Sequence, residues 1–251
     1  MIKVSIITSC YNRENTIRNA IESVLNQDYP NIEYIIIDGA STDNSLSIIK
    51  EYKDKIHTII SEPDKGMYEA INKGLKIASG DIIGLVHSDD VLFNNNTISK
   101  IVNEFNHTQA DIIYGNGIFV SAENSNKIIR NWISGNFRHW KVHFGWLPLH
   151  PTVYIKQNII KEKGLYNENY KIAADTDFLI RILHKTQYKV HYINQYIINM
   201  RMGGLSTDNK KRKQMWNEDI QIFKSHGFCA IPSKLMKMSW KIPQFIKALF
   251  A

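Results

Sequence analysis

Two adjacent carboxylates close the segment Leu85-Val86-His87-Ser88-Asp89-Asp90. They follow an apolar run, Ile82 to Val86, that reads as a buried strand. Two acids at the mouth of such a strand are costly unless something neutralises them. A hard divalent cation does so, because Mg²⁺ and Mn²⁺ take oxygen ligands and share them with substrate phosphates. A helix start with a solvated acidic turn fits the same residues, since Asp favours that position. A second acidic loop, Asp38-Gly39-Ala40-Ser41-Thr42-Asp43, follows the apolar run Glu33 to Ile37. Gly39 permits close backbone approach, and Asp38 can accept hydrogen bonds from a base or a ribose. Turn chemistry with a helix cap is the plainer reading of that loop. A third pair, Asp175 and Asp177, stands at i and i+2 near a helix start. Such side chains point about 200° apart and cannot share one task. One caps or supports, while the other faces a cleft, where a carboxylate beside an acceptor hydroxyl acts as general base.

These loops need elements to position them. Val4 to Thr8, Glu33 to Ile37, Ile56 to Ile60 and Ile82 to Val86 read as strands. Between them, Glu14 to Gln27 carries Ile17, Ala20, Ile21, Val24 and Leu25 at helical spacing. The segment with Leu46, Ile48 and Ile49, capped from Thr42-Asp43-Asn44, and Tyr68 to Ala78 read as further helices. This alternation implies an α/β fold with a nucleotide-binding, mostly parallel sheet and helices on both faces, joined by right-handed crossovers. Ligands of such sheets bind outside the carboxyl ends of the strands; Asp38, Asp64 and Asp89-Asp90 each follow one. The second half is mixed. Ile112 to Tyr114 and Thr152 to Ile155 read as strands, Gly117 to Val120 and Lys127 to Trp132 as a hairpin around the turn at 122–126, and Ala174 to His184 and residues 208–226 as helices. With no Gly/Ser-rich linker and no internal repeat, the expectation is one domain over 1–226, with halves at 1–115 and 116–226, and a basic amphipathic tail over 227–251.

The 251 residues suffice for such a domain, and 43% hydrophobic against 22% charged residues excludes a disordered chain. Cys10 and Cys229 are too few and too far apart for a disulfide framework or a cysteine-ligated zinc, and read as small buried hydrophobes in a reducing compartment. Met1 leads directly into a strand-like run, without a charged and then apolar leader, and no apolar run reaches the roughly 20 residues of a spanning helix. The expected location is cytoplasmic. The net charge of +7 is partly terminal: no acid follows Asp219, whereas Lys224, Lys234, Lys237, Lys241 and Lys247 do. Those lysines alternate with Trp240 and bulky apolar residues between Pro232 and Phe250, with Pro243 breaking the segment in two. This is the pattern of an interfacial segment on an anionic membrane, on the inner face of the cell membrane, and also of a helix docked on the protein's own core. Nucleic acid is not an expected partner, because the basic residues are not interleaved with aromatics in the main domain.

Together the motifs resemble the family 2 glycosyltransferases, which have the GT-A fold. Ser5-Ile6-Ile7-Thr8-Ser9-Cys10-Tyr11-Asn12-Arg13 looks like their first strand and base-binding loop, and Ile37 through Ser45 like their second strand motif. Ser61 through Gly74 is similar to a run in one branch of the family, and His87-Ser88-Asp89-Asp90 falls where the family carries its DxD metal motif. His150-Pro151, Gly164-Leu165-Tyr166 and Ala173 to Arg181 resemble that branch's acceptor-side half. The resemblance spans residues 3 to 206, with the motifs in order, and points to bacterial surface polysaccharides.

The resemblance implies that Ser9, Tyr11 and Asp38 contact the nucleotide, that Asp64 and Lys65 line the donor pocket with His87 and Ser88, and that Asp89 holds Mn²⁺ or Mg²⁺ at the diphosphate. His150 would stand on the acceptor side; judged alone, its stretch with Trp140, Phe144 and Trp146 reads as core. Asp175 would deprotonate the acceptor hydroxyl for a single displacement that inverts the anomeric carbon, with Asp177 and Arg181 as a supporting ion pair. The donor is a nucleotide-diphosphate sugar, UDP-linked by default, and the acceptor a saccharide, lipid-linked if the tail binds membrane. Two positions depart from the family pattern. His87 replaces the first acid of the DxD motif, which favours Mn²⁺ over Mg²⁺, and Gly39 stands where many relatives have a second acid. The turn Met202 to Ser206 suits a lid or a connector, and Lys210 to Lys213 a solvated face or a screen for the diphosphate. A weakly catalytic nucleotide-sugar-binding or scaffold subunit is the alternative function. A nucleotidyltransferase would need a Gly-rich basic loop after the first strand, and a dinucleotide oxidoreductase a GxGxxG there; both are lacking.

Overall fold

The computed structural model describes residues 1–124, 127–203 and 211–249. The first half alternates strictly: β1 (Val4–Cys10), α1 (Ile17–Leu25), β2 (Ile32–Asp38), α2 (Ser45–Glu51), β3 (Thr58–Ser61), α3 (Met67–Ile77) and β4 (Ile82–Leu85). The four strands are parallel in the order β3-β2-β1-β4. Every residue of β1 is buried, so the strand must be covered on both faces, and its two-residue period sorts the cover. Val4 and Ile6, with Tyr34 and Ile36 of β2, pack on Ile17, Ile21 and Val24 of α1 and Ile49 of α2. Ile7, with Ile35 and Ile37, packs on Tyr68, Ile71 and Leu75 of α3.

The chain continues through β5 (Asp90–Leu92), α4 (Thr97–Thr108), β6 (Ile112–Val120), β7 (Ile128–Trp132), α5 (His139–His143), a 3₁₀ turn (His150–Thr152), β8 (Tyr154–Lys156), α6 (Gln157–Lys163), α7 (Ala174–Leu183), β9 (Val190–Arg201), α8 (Arg212–Ser225), α9 (Ala230–Ser239) and α10 (Ile242–Ala248). Here the sheet becomes mixed. β8 pairs antiparallel with both β4 and β6, β9 runs parallel to β6 and antiparallel to β5, and β7 forms a hairpin with β6.

Several elements, α4, α5, α6, β5 and β9 among them, have no counterpart in the sequence-based expectation. The α4 helix carries a readable signal, with Ile98, Ile101, Val102 and Phe105 buried at helical spacing. β5 is three residues long and continues the Asp89-Asp90 turn. β9 lacks clean alternation because its first residues pair with β6 alone, whereas Ile198 to Met200 lie between β6 and β5. The helix expected over 208–226 is seen as α8; its first residues, the lid candidates Gly204 to Ser206 and Lys210, and the tail's Phe250 lie outside the described residues. The tail is in two pieces as expected, α9 and α10, and Pro243 stands in the first turn of α10, where its missing N–H costs nothing. Cys10 is buried as expected, whereas Cys229 is exposed, because it precedes α9 on the surface.

The junction of β4 and β8 requires a glycine. A Cβ on Gly84 would stand 2.3 Å from the Tyr154 ring, which is fully buried. Gly84→Ala is therefore expected to destabilise the fold by about 1–3 kcal/mol through overpacking. Urea titration followed by circular dichroism would measure it as a lower midpoint at unchanged slope.

Candidate functional site

The site follows from strand order. β1 lies between β2 and β4; α1 and α2, which follow β1 and β2, cover one face, and α3, which leads from β3 into β4, covers the other. At such a switch point the loops after the strands part and leave a crevice. The loop after β1 (Tyr11 to Glu14) and the turn His87 to Asp90 after β4 meet there, with the Arg13 guanidinium 3.9 Å from the Asp89 carboxylate.

The loops after β1 and β2 are stitched together. The main-chain N–H groups of Asn12, Arg13 and Glu14 donate to Ser41 Oγ (2.9 Å), Ser45 Oγ (2.7 Å) and Asp43 Oδ2 (3.1 Å). In return the Thr42 N–H donates to Asn12 Oδ1 at 2.8 Å. Asn12 and Ala40 both adopt left-handed backbone conformations, with φ of 51° and 59°; for Ala this stores strain that the stitching must hold. Asp38 is fully buried and accepts bonds from Ser41 N–H, Ser41 Oγ and Ser61 Oγ. Ser9 is buried beside it, while Tyr11 presents an exposed ring at the rim.

Gly39 has a local steric reason. A Cβ there would lie 2.4 Å from Asp64 Oδ2, so the Asp64 carboxylate occupies the space of a side chain at 39. Asp64 is held by the Gly66 N–H at 2.8 Å, and burial pushes its carboxyl above the ordinary range. Lys65 is exposed nearby, with its N–H on Glu69.

In the turn after β4, Ser88 is buried and Asp89 is half-buried. Asp90 is 1% exposed, and neither of its oxygens has a hydrogen-bond partner among the described residues. Burial, reinforced by the Asp89 charge, pushes its carboxyl well above the usual range. The His87 imidazole is pushed down by burial, its Nδ1 is also unpartnered among the described residues, and its ring lies 5.9 Å from that of His150. The half-buried Asp89 carboxylate offers oxygen donors of the kind that a hard divalent cation takes. Among the described residues no three His, Cys, Asp or Glu side chains gather into a cage, so protein ligands alone do not surround a cation there.

The second half of the chain packs on α3. Asn72 donates from Nδ2 to Tyr166 O (2.9 Å) and to Glu168 Oε1 (2.8 Å), and accepts the Tyr166 N–H at Oδ1 (2.9 Å). Tyr68 stacks on Tyr166, donates to Ile172 O at 2.8 Å, and lies 3.3 Å from Asp175 Oδ1. His150 is buried, with Nε2 2.6 Å from Tyr166 Oη, and burial together with His87 holds its imidazole down to about 3. His150 therefore joins the two halves as a neutral ring.

Asp175 is half-buried in the first turn of α7. The loop before it is fixed by Glu218 of α8, which accepts the N–H groups of Lys171, Ile172 and Ala173. Burial pushes the Asp175 carboxyl up, Lys237 of α9 pulls it down, and Asp219 pushes it up again. Lys237 donates to Thr176 Oγ1 and to Asp219 Oδ1, both at 2.7 Å, and the buried Asp219 also pairs with Lys234. Asp177 turns away from this wall. It pairs with Arg181 and His226, both at 2.9 Å, which hold its carboxyl low against the burial that pushes it up.

Contacts thus link Asp38, Asp64 and Asp89 through the stitched loops, His87 to His150 through their rings, and His150 to Asp175 through Tyr166 and Tyr68; Ser9 and Ser88 are buried, and Tyr11 and Lys65 are exposed. Sequence reasoning missed Arg13, Tyr68 and Lys237 as neighbours of these acids. Arg13 and Tyr68 lie inside recognisable motifs; Lys237 gave no signal, since its partner Asp219 is on another helix.

Comparisons with known proteins agree with this architecture. The sequence model described as glycosyl transferase family 2 matches residues 5–165. The chain is 26% identical over 207 residues to a PGL/p-HBAD biosynthesis glycosyltransferase of Mycobacterium bovis, with 80% of this chain and 78% of the relative covered. It is 30% identical over 221 residues to an uncharacterized glycosyltransferase of Haemophilus influenzae, with 86% of each covered. Among solved structures it resembles S. aureus TarS 1-349 in complex with UDP-GlcNAc, at a TM-score of 0.70 and 19% identity, covering 88% of this chain and 65% of that one. It also resembles the mannosyltransferase PcManGT from Pyrobaculum calidifontis in complex with GDP-Man and Mn2+, at a TM-score of 0.66 and 16% identity, covering 99% and 74%. The chain spans only 39% of the longer TarS structure. These likenesses show the fold, which is of the GT-A type. With a match across well over half its length, the chain belongs to glycosyl transferase family 2 and is a glycosyltransferase.

Proposed function

We propose that the protein transfers a sugar, with inversion, from a nucleotide-diphosphate sugar to a hydroxyl of a saccharide acceptor carried on a lipid, at the inner face of the cell membrane. The 3.3 Å approach of Tyr68 to Asp175 carries this reading, because it sets the one acidic wall of the acceptor half against the donor-half helix α3. The donor half (1–115) binds the nucleotide sugar, the acceptor half (116–226) presents the hydroxyl, and the segment 227–251 meets an anionic membrane surface. UDP is the default nucleotide; the solved neighbours include complexes with UDP-GlcNAc, UDP and GDP-Man.

In this reading Tyr11 covers the base, and Ser9 and Asp38 receive the base and ribose. Asp64, Lys65, His87 and Ser88 line the sugar-diphosphate pocket. Asp89 would hold a divalent cation, Mn²⁺ or Mg²⁺, which supplies charge neutralisation to the diphosphate. Arg13 stands beside the same position and adds fixed positive charge. Asp175 takes the proton of the acceptor hydroxyl as that oxygen's electron pair forms the bond to the anomeric carbon. The bond from that carbon to the diphosphate breaks with its electrons on the departing nucleotide, and attack from the opposite face inverts the carbon. Neutral His150 borders the acceptor. A scaffold or binding subunit with weak catalysis is the second reading, favoured by the lack, among the described residues, of three His, Cys, Asp or Glu side chains gathered to hold a cation.

Nucleoside diphosphate release from UDP-, GDP- and dTDP-sugars with Mn²⁺, Mg²⁺ or EDTA, with and without a lipid-linked acceptor extract, tests the class. One donor should turn over with metal, with kcat lower by roughly 10²–10⁴-fold in Asp175→Asn and release lost in Asp89→Ala. Donor binding without turnover would install the scaffold reading. Gly39→Ala should displace the Asp64 carboxylate and raise the donor Kd roughly tenfold in calorimetry, with unchanged folding. A base must be ionised to act, and the Asp175 carboxyl lies above the ordinary range. Activity should therefore fall on acidification at a higher pH than for a free aspartate. Lys237→Met removes the cation that favours the charged form, so this limb should move to still higher pH, whereas Lys237→Arg should hold it; pH profiles of kcat read both.

A further inference from the structure

Helices α9 and α10 are inside out. Their polar residues face the protein: Ser233, Lys234 and Gln244 are buried, and Lys237 reaches inward to Asp219 and Thr176. Their apolar residues face outward, with Ile231, Leu235, Ile242, Ile246 and Leu249 each more than half exposed. An ordinary surface helix shows the reverse arrangement. The helices cannot roll to hide these residues. Lys234 and Lys237 neutralise Asp219, whose side chain is 1% exposed, and withdrawing them would leave a buried carboxylate unpaired. α10 is pinned as well, because Gln244 Oε1 accepts the Arg130 Nε–H at 2.6 Å and that guanidinium is caged by the rings of Phe119, Trp132 and Phe245.

A distant segment joins the same face. Trp240 donates its indole N–H to Phe144 O at 3.1 Å, and its ring lies 6.5 Å from that of Trp140. Trp140 and Phe144, on and just after α5, are 55% and 44% exposed. Charge selects among the apolar partners that could cover such a face. The sequence has no acid between Glu123 and Glu162 or after Asp219, so both contributing segments carry charge of one sign only, with Arg138 and Lys247 exposed. Two copies of this face would repel each other, whereas an anionic bilayer satisfies both the apolar and the basic residues.

We propose that α5, α9 and α10 form one preformed docking face that inserts into the interface of an anionic lipid bilayer. No described helix is long and apolar enough to cross a membrane, so the contact is interfacial. It deepens the membrane partner of the proposed function by adding α5 and fixing the orientation: the bilayer lies on the outer side of α9, and the Asp175 wall on its inner side.

The test is co-sedimentation of the full chain with vesicles of phosphatidylcholine alone or with a quarter phosphatidylglycerol, together with light scattering without lipid. Binding should require the anionic lipid and weaken roughly tenfold or more in Ile242→Ser/Ile246→Ser and, separately, in Trp140→Ser/Phe144→Ser. All these side chains are exposed, and circular dichroism checks that the variants fold. Absence of binding by the wild type would overturn the proposal. So would binding that ignores the α5 variant, or a dimer abolished by the same substitutions, which would make a second copy the occupant. Donor turnover measured in parallel separates the two readings, because vesicle binding without turnover overturns the transferase mechanism alone, and turnover without vesicle binding overturns the docking face alone.

Discussion

One buried asparagine joins the two halves of this protein. Asn72, on the donor-half helix α3, donates to the carbonyl of Tyr166 and accepts its N–H. A buried amide that meets a backbone in this way leaves no polar group unsatisfied, and removing it would strand two main-chain groups, each at about 1–3 kcal/mol. Around it, Tyr166 stacks between Tyr68 and Phe178 and bonds His150. The position of Asp175 depends on this seam, because Tyr68 binds both the Ile172 carbonyl and the Asp175 carboxylate from the same helix.

Electrostatic control of the crevice is divided between the halves. On the donor side the acids are arranged by backbone: loops clasp one another through N–H groups, and Asp64 takes the space that Gly39 leaves empty. In the second half of the chain they are arranged by ions. Asp219, fully buried, draws two lysines of α9 inward, and one of them, Lys237, completes the wall at Thr176. The C-terminal helices are thus part of the surroundings of Asp175, and the same ion cluster forces their apolar residues outward.

Several sequence features read in isolation had two meanings that packing resolved. Asp175 and Asp177 were expected to take different tasks, and they do point apart, with Asp177 spent on Arg181 as expected and also on His226, which no pattern near it announces. The departure at Gly39 has a steric cause, the Asp64 carboxylate. The stretch around His150 divides: its imidazole and Trp146 are buried as core, whereas Trp140 and Phe144 are exposed.

The sequence by itself determined the alternation of β1 to β4 with α1 to α3, and with it the loops that bear Asp38, Asp64 and Asp89. Periodicity is local: two-residue and 3.6-residue patterns state which side of each element is apolar, and carboxylates placed after strands must lie at the strand ends. Tertiary structure alone decided that β8 enters antiparallel between β4 and β6, that β9 links β6 to β5, and that Tyr68 meets Asp175 more than a hundred residues away. It also decided which side of α9 faces inward. A helical pattern identifies an apolar face without saying what covers it; here a buried aspartate on α8 claimed the lysines, and the energy of that buried charge outweighed the gain from hiding the apolar side.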